Sequence, residues 1–344
     1  MALPAAPSTT QSPASHRMAA HRLLPALVVP VLVALIIAIF AWPATRIAPH
    51  ELPIGLVGPK AATAGIAAHL QDEGFQVHAY DDEAAARDAI ADRAIYGVLM
   101  PSPTGLTLIT ASAASPVVSQ LLRGAAQGMA DSQGLPLSLV EAAPLPAKDP
   151  RGAAFGASFL PLIIAGFATG IVVAFTTRTA GSQWALLGAT ALLTTIAAML
   201  VVQSWLGVLA GPWLANAAVM LAFILAIATT VIGLRAWFGA VGLAAAGALF
   251  MLIGNPFSGI TSAPELLPGW VSAIGQLLPP GAGASALRST AFFDGGGLAR
   301  PLLVIVGWIV IGVGLMLTAN LFRRPAERPA PATHGEHVPH AIGA

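Results

Sequence analysis

Residues 255–300, NPFSGITSAPELLPGWVSAIGQLLPPGAGASALRSTAFFDGGGLAR, lie between two strongly apolar runs, Ala236–Gly254 and Pro301–Phe322. The segment is too polar and too broken by proline to cross a bilayer. Yet Leu266, Leu267, Trp270, Val271, Ile274, Leu277 and Leu278 recur at helical spacing and form an apolar face. That pattern predicts a short helix at, or dipping into, the membrane interface. Pro279-Pro280 and Gly281–Gly283 should end it before a second short helix, Ala284–Phe293. Non-helical backbone near membrane depth persists only where protein or water satisfies its amides. The segment is therefore expected to pack, as an external re-entrant element, against the mouth of a helical bundle.

The whole chain supports that setting. Its 344 residues are 56% hydrophobic and 9% charged, and the mean hydropathy of +0.78 lies outside the soluble globular range. Lipid is thus an expected partner. A net charge of +1 gives no basic face for a duplex, so no nucleic-acid partner is expected. The absence of Cys excludes disulfides, thiol catalysis and Cys-ligated metals.

Six spans are predicted: Leu23–Trp42, Ala153–Phe175, Trp184–Leu209, Trp213–Leu234, Ala236–Gly254 and Pro301–Phe322, each about the length a hydrocarbon core requires. A cleaved signal peptide competes for the first, but its apolar region would be roughly 7 to 15 residues and an A-x-A site is lacking at Ala41–Ala44. Residues 1–22 carry Arg17 and Arg22 and should be cytoplasmic. Alternation then puts Arg178, Arg235, Arg323 and Arg324 inside as well, in a multi-pass protein of the plasma membrane with both termini cytoplasmic. The tail 323–344, rich in Pro and His, reads as disordered.

Residues 43–152 hold 11 of the 15 acids of the chain. Strands are predicted at Leu52–Val57, Phe75–Tyr80, Ile95–Met100, Leu106–Ala111 and Leu137–Val140, with helices at Ala61–Glu73, Asp81–Arg93 and Pro116–Asp131. The fold class is thus an α-helical polytopic membrane protein of six transmembrane helices. A small extracytoplasmic α/β domain is inserted between helices 1 and 2, and a five-helix domain spans 153–322. Gly55-Leu-Val-Gly58-Pro59-Lys60 follows a strand but lacks the Gly-Lys-Ser/Thr ending of a phosphate loop. Pro59 reads instead as a helix start.

The spans hold no Asp, Glu, Lys or His, which weighs against an ion-coupled carrier, since such carriers keep ionisable groups at membrane depth. Gln203, Asn216 and Asn320 are expected to form interhelical hydrogen bonds, and Gly166-x-x-x-Gly170 and Gly207-x-x-x-Gly211 to allow close helix packing. No Walker A, H-E-x-x-H or G-x-S-x-G motif occurs, so no enzymatic activity, cofactor or metal is expected.

One span, a sizeable external α/β domain, five more spans and a broken Pro-rich segment resemble the permease subunits of ABC-2 type exporters, in the branch related to the phage infection protein (Pip)-like membrane proteins. The residues that carry the likeness are Ser262–Pro268 (SAPELLP), Leu278–Gly281 (LPPG) and Ala286–Arg288 (ALR). The resemblance implies export of an apolar or lipid-like substrate or polymer by a homo- or heterodimer, driven by a separate ABC ATPase. That partner would dock at His16–Leu24 and at the loop Thr176–Gln183, whose contacting residues would be Thr176, Thr177, Arg178 and Thr179. A candidate external gate comprises Glu265, Pro268, Pro279, Pro280, Arg288 and Asp294, with Arg288 either paired to Glu265 or Asp294 or reaching lipid headgroups. The alternative function is a membrane scaffold, receptor or secretion accessory protein whose external domain binds a partner.

Overall fold

The structure, a computed structural model, describes residues 13–177 and 179–322. Most of it is helical, joined to one small α/β layer. Helix α1 (Pro13–Ala44) leads into β1 (Leu52–Val57), α2 (Lys60–Asp72), β2 (Phe75–Tyr80), α3 (Glu83–Ala91), β3 (Gly97–Ser102), β4 (Gly105–Thr110), α4 (Pro116–Gln133) and β5 (Leu137–Glu141). The strands form one sheet in the order β2-β1-β3-β4-β5, parallel except for the antiparallel β3–β4 pair. Local chemistry sets these limits: Asp82 and Ser115 cap α3 and α4 through their side chains, Pro116 occupies the first turn of α4, and Gly134 ends it in a left-handed conformation.

Among the described residues five helices are long and apolar enough to cross a membrane: Leu27–Ala44, Ala153–Thr176, Ala180–Trp205, Trp213–Phe257 and Ala299–Ala319. The second is α5 (Ala153–Thr176). The third is α6 (Ala180–Met199) with the π-helical turn Leu200–Trp205. The fourth contains α7 (Trp213–Gly247), the π-helical Ala248–Gly254 and the short α8 (Asn255–Phe257). The re-entrant segment supplies α9 (Gly269–Gln276) and α10 (Pro279–Phe292), and α11 (Ala299–Phe322) ends the described chain.

The fourth of these apolar helices is not one rod. At Gly239 the backbone takes φ 59° and ψ −130°, a region open essentially to glycine alone. Beyond it the chain doubles back, so that a Cβ on Gly242 would strike the Leu234 carbonyl. Gly166 on α5 faces Ile227 while its neighbour Phe167 lies beside Gly247. In a straight helix at about 1.5 Å per residue, positions 227 and 247 would be about 30 Å apart. The predicted junction near Arg235 is thus a reversal a few residues later, where glycine permits it.

Small residues draw the helices together. Gly166 and Gly170 sit against Ile227 and Val231, and Gly233 and Gly312 bring α7 close to α11. The interior is filled by Phe155, Phe159, Phe223, Phe250 and the aliphatic side chains around them. By contrast α1 stands at the edge, with Leu27, Val31 and Leu35 more than half exposed; near its end the Trp42 ring lies 5.6 Å from Trp270, tilted by 40°.

Several boundaries differ from expectation. The third span begins at Ala180 rather than Trp184, because Thr179 and Ser182 form a reciprocal capping box. It ends at Trp205 because Gly207 and Gly211 adopt φ of 63° and 72°, placing that pair in a turn rather than on a helix face; Gly211 still admits the Thr290 and Ala291 backbone closely. Pro279 and Pro280 open α10 instead of preceding it, since a first helical turn needs no proline N–H. Gly281 and Gly283 lie inside that helix, where they admit the Gly275 backbone and the Phe223 ring. The expected residues 1–12, Arg178 and tail 323–344 lie outside the described residues, as do the side chains of the proposed docking stretch His16–Leu24.

Candidate functional site

The re-entrant segment is the joint between the α/β layer and the bundle. Its 3-10 turn Pro264–Leu266 receives the chain as it enters β1: Ala48 N donates to Leu266 O at 3.1 Å and His50 N to Glu265 O at 2.9 Å. Ala263, Leu266 and Phe293 are buried within the core of the α/β layer itself. Ser115 Oγ donates to Ser262 O at 2.6 Å while it accepts from Val118 N as the cap of α4. The layer read from sequence as a separate domain therefore completes its core with residues from far along the chain.

Polar side chains converge on this joint. Tyr96, at the lead-in to β3, donates its hydroxyl to the Glu265 carboxylate at 2.6 Å. Arg93, which follows α3 in a left-handed conformation with φ 58°, donates to Ser285 O and Ser289 Oγ at 2.7 Å each. Burial, and then the Glu265 carboxylate, hold the Tyr96 phenol well above the usual tyrosine value. Burial lowers the Arg93 guanidinium, with Tyr96 and Glu265 opposing that shift.

Arg288 is only 5% exposed. Its guanidinium donates to Ile260 O at 3.1 Å and lies 4.7 Å from the Phe155 ring centroid. Burial, and then Arg93, lower it to about 10. Among the described residues no carboxylate lies within 4.0 Å of it. The expected pair with Glu265 or Asp294 is therefore absent: α10 turns Arg288 toward α5, Glu265 faces the sheet, and Asp294 is exposed in the turn after α10. At this burial Arg288 does not snorkel freely along the surface, and a headgroup would reach it only by entering the cavity it lines.

Of the remaining gate candidates, Pro268 stands at the start of α9, and Pro279 and Pro280 are buried at the start of α10. Gln276 ties the two helices, donating to Ser258 O at 2.8 Å and accepting from Ser285 Oγ at 2.9 Å. Asn216 is fully buried and donates to Gln203 Oε1 at 3.0 Å and Ala210 O at 2.7 Å, while Thr290 donates to its Oδ1 at 2.7 Å. These are the hydrogen bonds expected of Gln203 and Asn216. On α9 the predicted apolar face is divided: Val271 is buried, whereas Trp270, Ile274 and Leu277 remain more than 40% exposed.

At the other end of α5, Thr176 and Thr177 bond back to Val172 O and Val173 O, and Thr179 caps α6. The expected ATPase-contacting loop is thus a three-residue junction, 177–179. Arg93 and Tyr96 escaped the sequence reading. The available signal was weak: Tyr96 is one of two tyrosines in the chain and opens an otherwise apolar strand. Among the described residues no cluster of three His, Cys, Asp or Glu is placed to hold a metal. Compared with known proteins, the chain matches no family model, no curated protein sequence and no solved structure.

Proposed function

We propose that the chain is the membrane-spanning permease subunit of an ABC-2 type exporter, moving an apolar or lipid-like substrate or polymer outward with energy from a separate ATPase. The observation that carries this reading is the reversal at Gly239, which supports counting Trp213–Phe257 as two crossings and the chain as six. On that count both termini and the α5–α6 junction share the cytoplasmic face with Arg235. The acidic α/β layer and the α9–α10 cap then face outward, in keeping with the positive-inside bias. The absence of Asp, Glu, Lys and His from the spans argues against ion coupling, and the absence of a Walker A motif is in keeping with energy supplied by a separate partner. Dimerisation is part of the same proposal.

A second reading, a membrane scaffold or receptor with a partner-binding outer layer, is favoured by the shortness of the 177–179 junction, which offers an ATPase little to grip. Purification of the tagged full chain from its native membrane in mild detergent separates the two. The exporter reading expects an ATPase at fixed stoichiometry and ATP-dependent export into inverted vesicles. Recovery of the intact chain without any ATPase would leave the scaffold reading.

A further inference from the structure

A cavity of about 430 Å³ lies where the α/β layer, the re-entrant segment and the start of α5 meet. Its polar lining is Arg288, Arg151, Gln120 and Thr261, and its apolar lining includes Phe155, Phe292 and Leu145. No acid lines it. Arg288 is a buried cation whose one hydrogen-bond acceptor is a backbone carbonyl; Glu265 acts on it only from beyond ion-pair distance, and a buried charge without a contacting counter-ion is costly. The carboxylate nearest in sequence to Arg151 and Phe155 is engaged elsewhere: Asp149 accepts from Ala154 N and Phe155 N, capping α5. Arg151 is exposed and has no hydrogen-bond or ion-pair partner among the described residues.

The cavity also has a direction. Ala157 and Thr261 line it and are exposed, and from Ala157 the exposed side of α5 continues through Leu160 and Ile164, which are 38% and 48% exposed. Spacings of three and four place these on one helix face. An anion held by the two guanidiniums would therefore have an apolar track running from the cavity mouth along the span.

We propose that this cavity binds a phosphate-bearing anion, presented as the headgroup of an anionic membrane phospholipid whose acyl chains lie along Ala157, Leu160 and Ile164. Two guanidiniums match phosphate geometry better than any other side chains, and the volume falls within the range of roughly 300 to 1,000 Å³ typical of small-ligand sites. The inference goes beyond the export reading and needs no ATPase.

The test uses the full chain, delipidated in a maltoside detergent and titrated with dioctanoyl phosphatidylglycerol, dioctanoylglycerol or inorganic phosphate, with thermal melting and native mass spectrometry as readouts. Phosphatidylglycerol should give a saturable stabilisation and one bound lipid that the uncharged diacylglycerol does not reproduce. Arg151→Gln, at an exposed position, should weaken the apparent affinity roughly tenfold by removing one charged contact, and Arg288→Gln should abolish it. Should Arg288→Gln fail to fold, Ala157→Trp, which narrows the mouth, takes its place and should give the same loss. A stabilisation by inorganic phosphate equal to that by the lipid, and weakened in Arg151→Gln, supports the anion site and overturns the lipid as its source. Equal effects of phosphatidylglycerol and diacylglycerol, or unchanged binding in the variants, overturn the proposal. Such failure leaves the export reading standing, because that rests on recovery of an ATPase.

Discussion

At the scale of single residues, the Tyr96–Glu265 hydrogen bond joins the α/β layer to the re-entrant turn across 169 positions of sequence. Tyr96→Phe leaves a partly buried carboxylate without its donor, and the expected loss is about 1–3 kcal/mol, read from a thermal or denaturant melt. The pH dependence has a definite sign. Because the phenol is raised in the folded state, the stability it contributes is complete below its ordinary value of 10.0 and is lost as pH rises beyond it. Tyr80→Phe leaves Tyr96 as the sole tyrosine, so absorbance near 295 nm should then rise well above pH 10. A normal titration near 10 would contradict the burial of that hydroxyl.

Two elements carry the architecture in different ways. The reversal in α7 depends on a backbone conformation at Gly239 that a side chain resists, so Gly239→Val should cost about 1–3 kcal/mol. Gly314→Ala, on α11 where a Cβ meets open space, should be close to neutral. Equal melting temperatures for the two variants would argue against the reversal. The 3-10 turn Pro264–Leu266 works by burial: Leu266 is fully buried in the core of the α/β layer. Leu266→Ala is expected to cost about 2–5 kcal/mol and to loosen the layer from the bundle, so that limited proteolysis cuts between residues 43–50 and 142–152 first.

For the molecule as a whole, the decisive measurement is which ends of the helices share a side of the membrane. The chain contains no Cys, so single cysteines report without background. Ser132→Cys on α4 should react with an impermeant reagent in intact cells, and Thr179→Cys at the α5–α6 junction should not. Both positions are exposed in the folded chain, so a difference between them reflects the bilayer rather than burial. Labelling of Thr179→Cys from outside would reverse the proposed orientation and with it the outward role of the α9–α10 cap.

Local periodicity by itself determined the long apolar runs, the five strands and the presence of a short helix within Leu266–Leu278, because hydrophobic spacing and the conformational limits of glycine and proline act over a few residues. The same locality misplaced the reversal of α7 and put Pro279-Pro280 ahead of α10, although each lies within a few residues of the expected place. Partner choice was legible only in the tertiary structure. Glu265 and Arg288 were both visible as charges out of place, and charge alone paired them. Which groups meet depends on how α10 is rotated against α5 and on the docking of Tyr96 and Arg93 from a layer more than a hundred residues earlier in the chain. Those rotations are fixed by the packing of Phe155, Leu266 and Phe293, and packing of that kind has no signature in the order of residues along one chain.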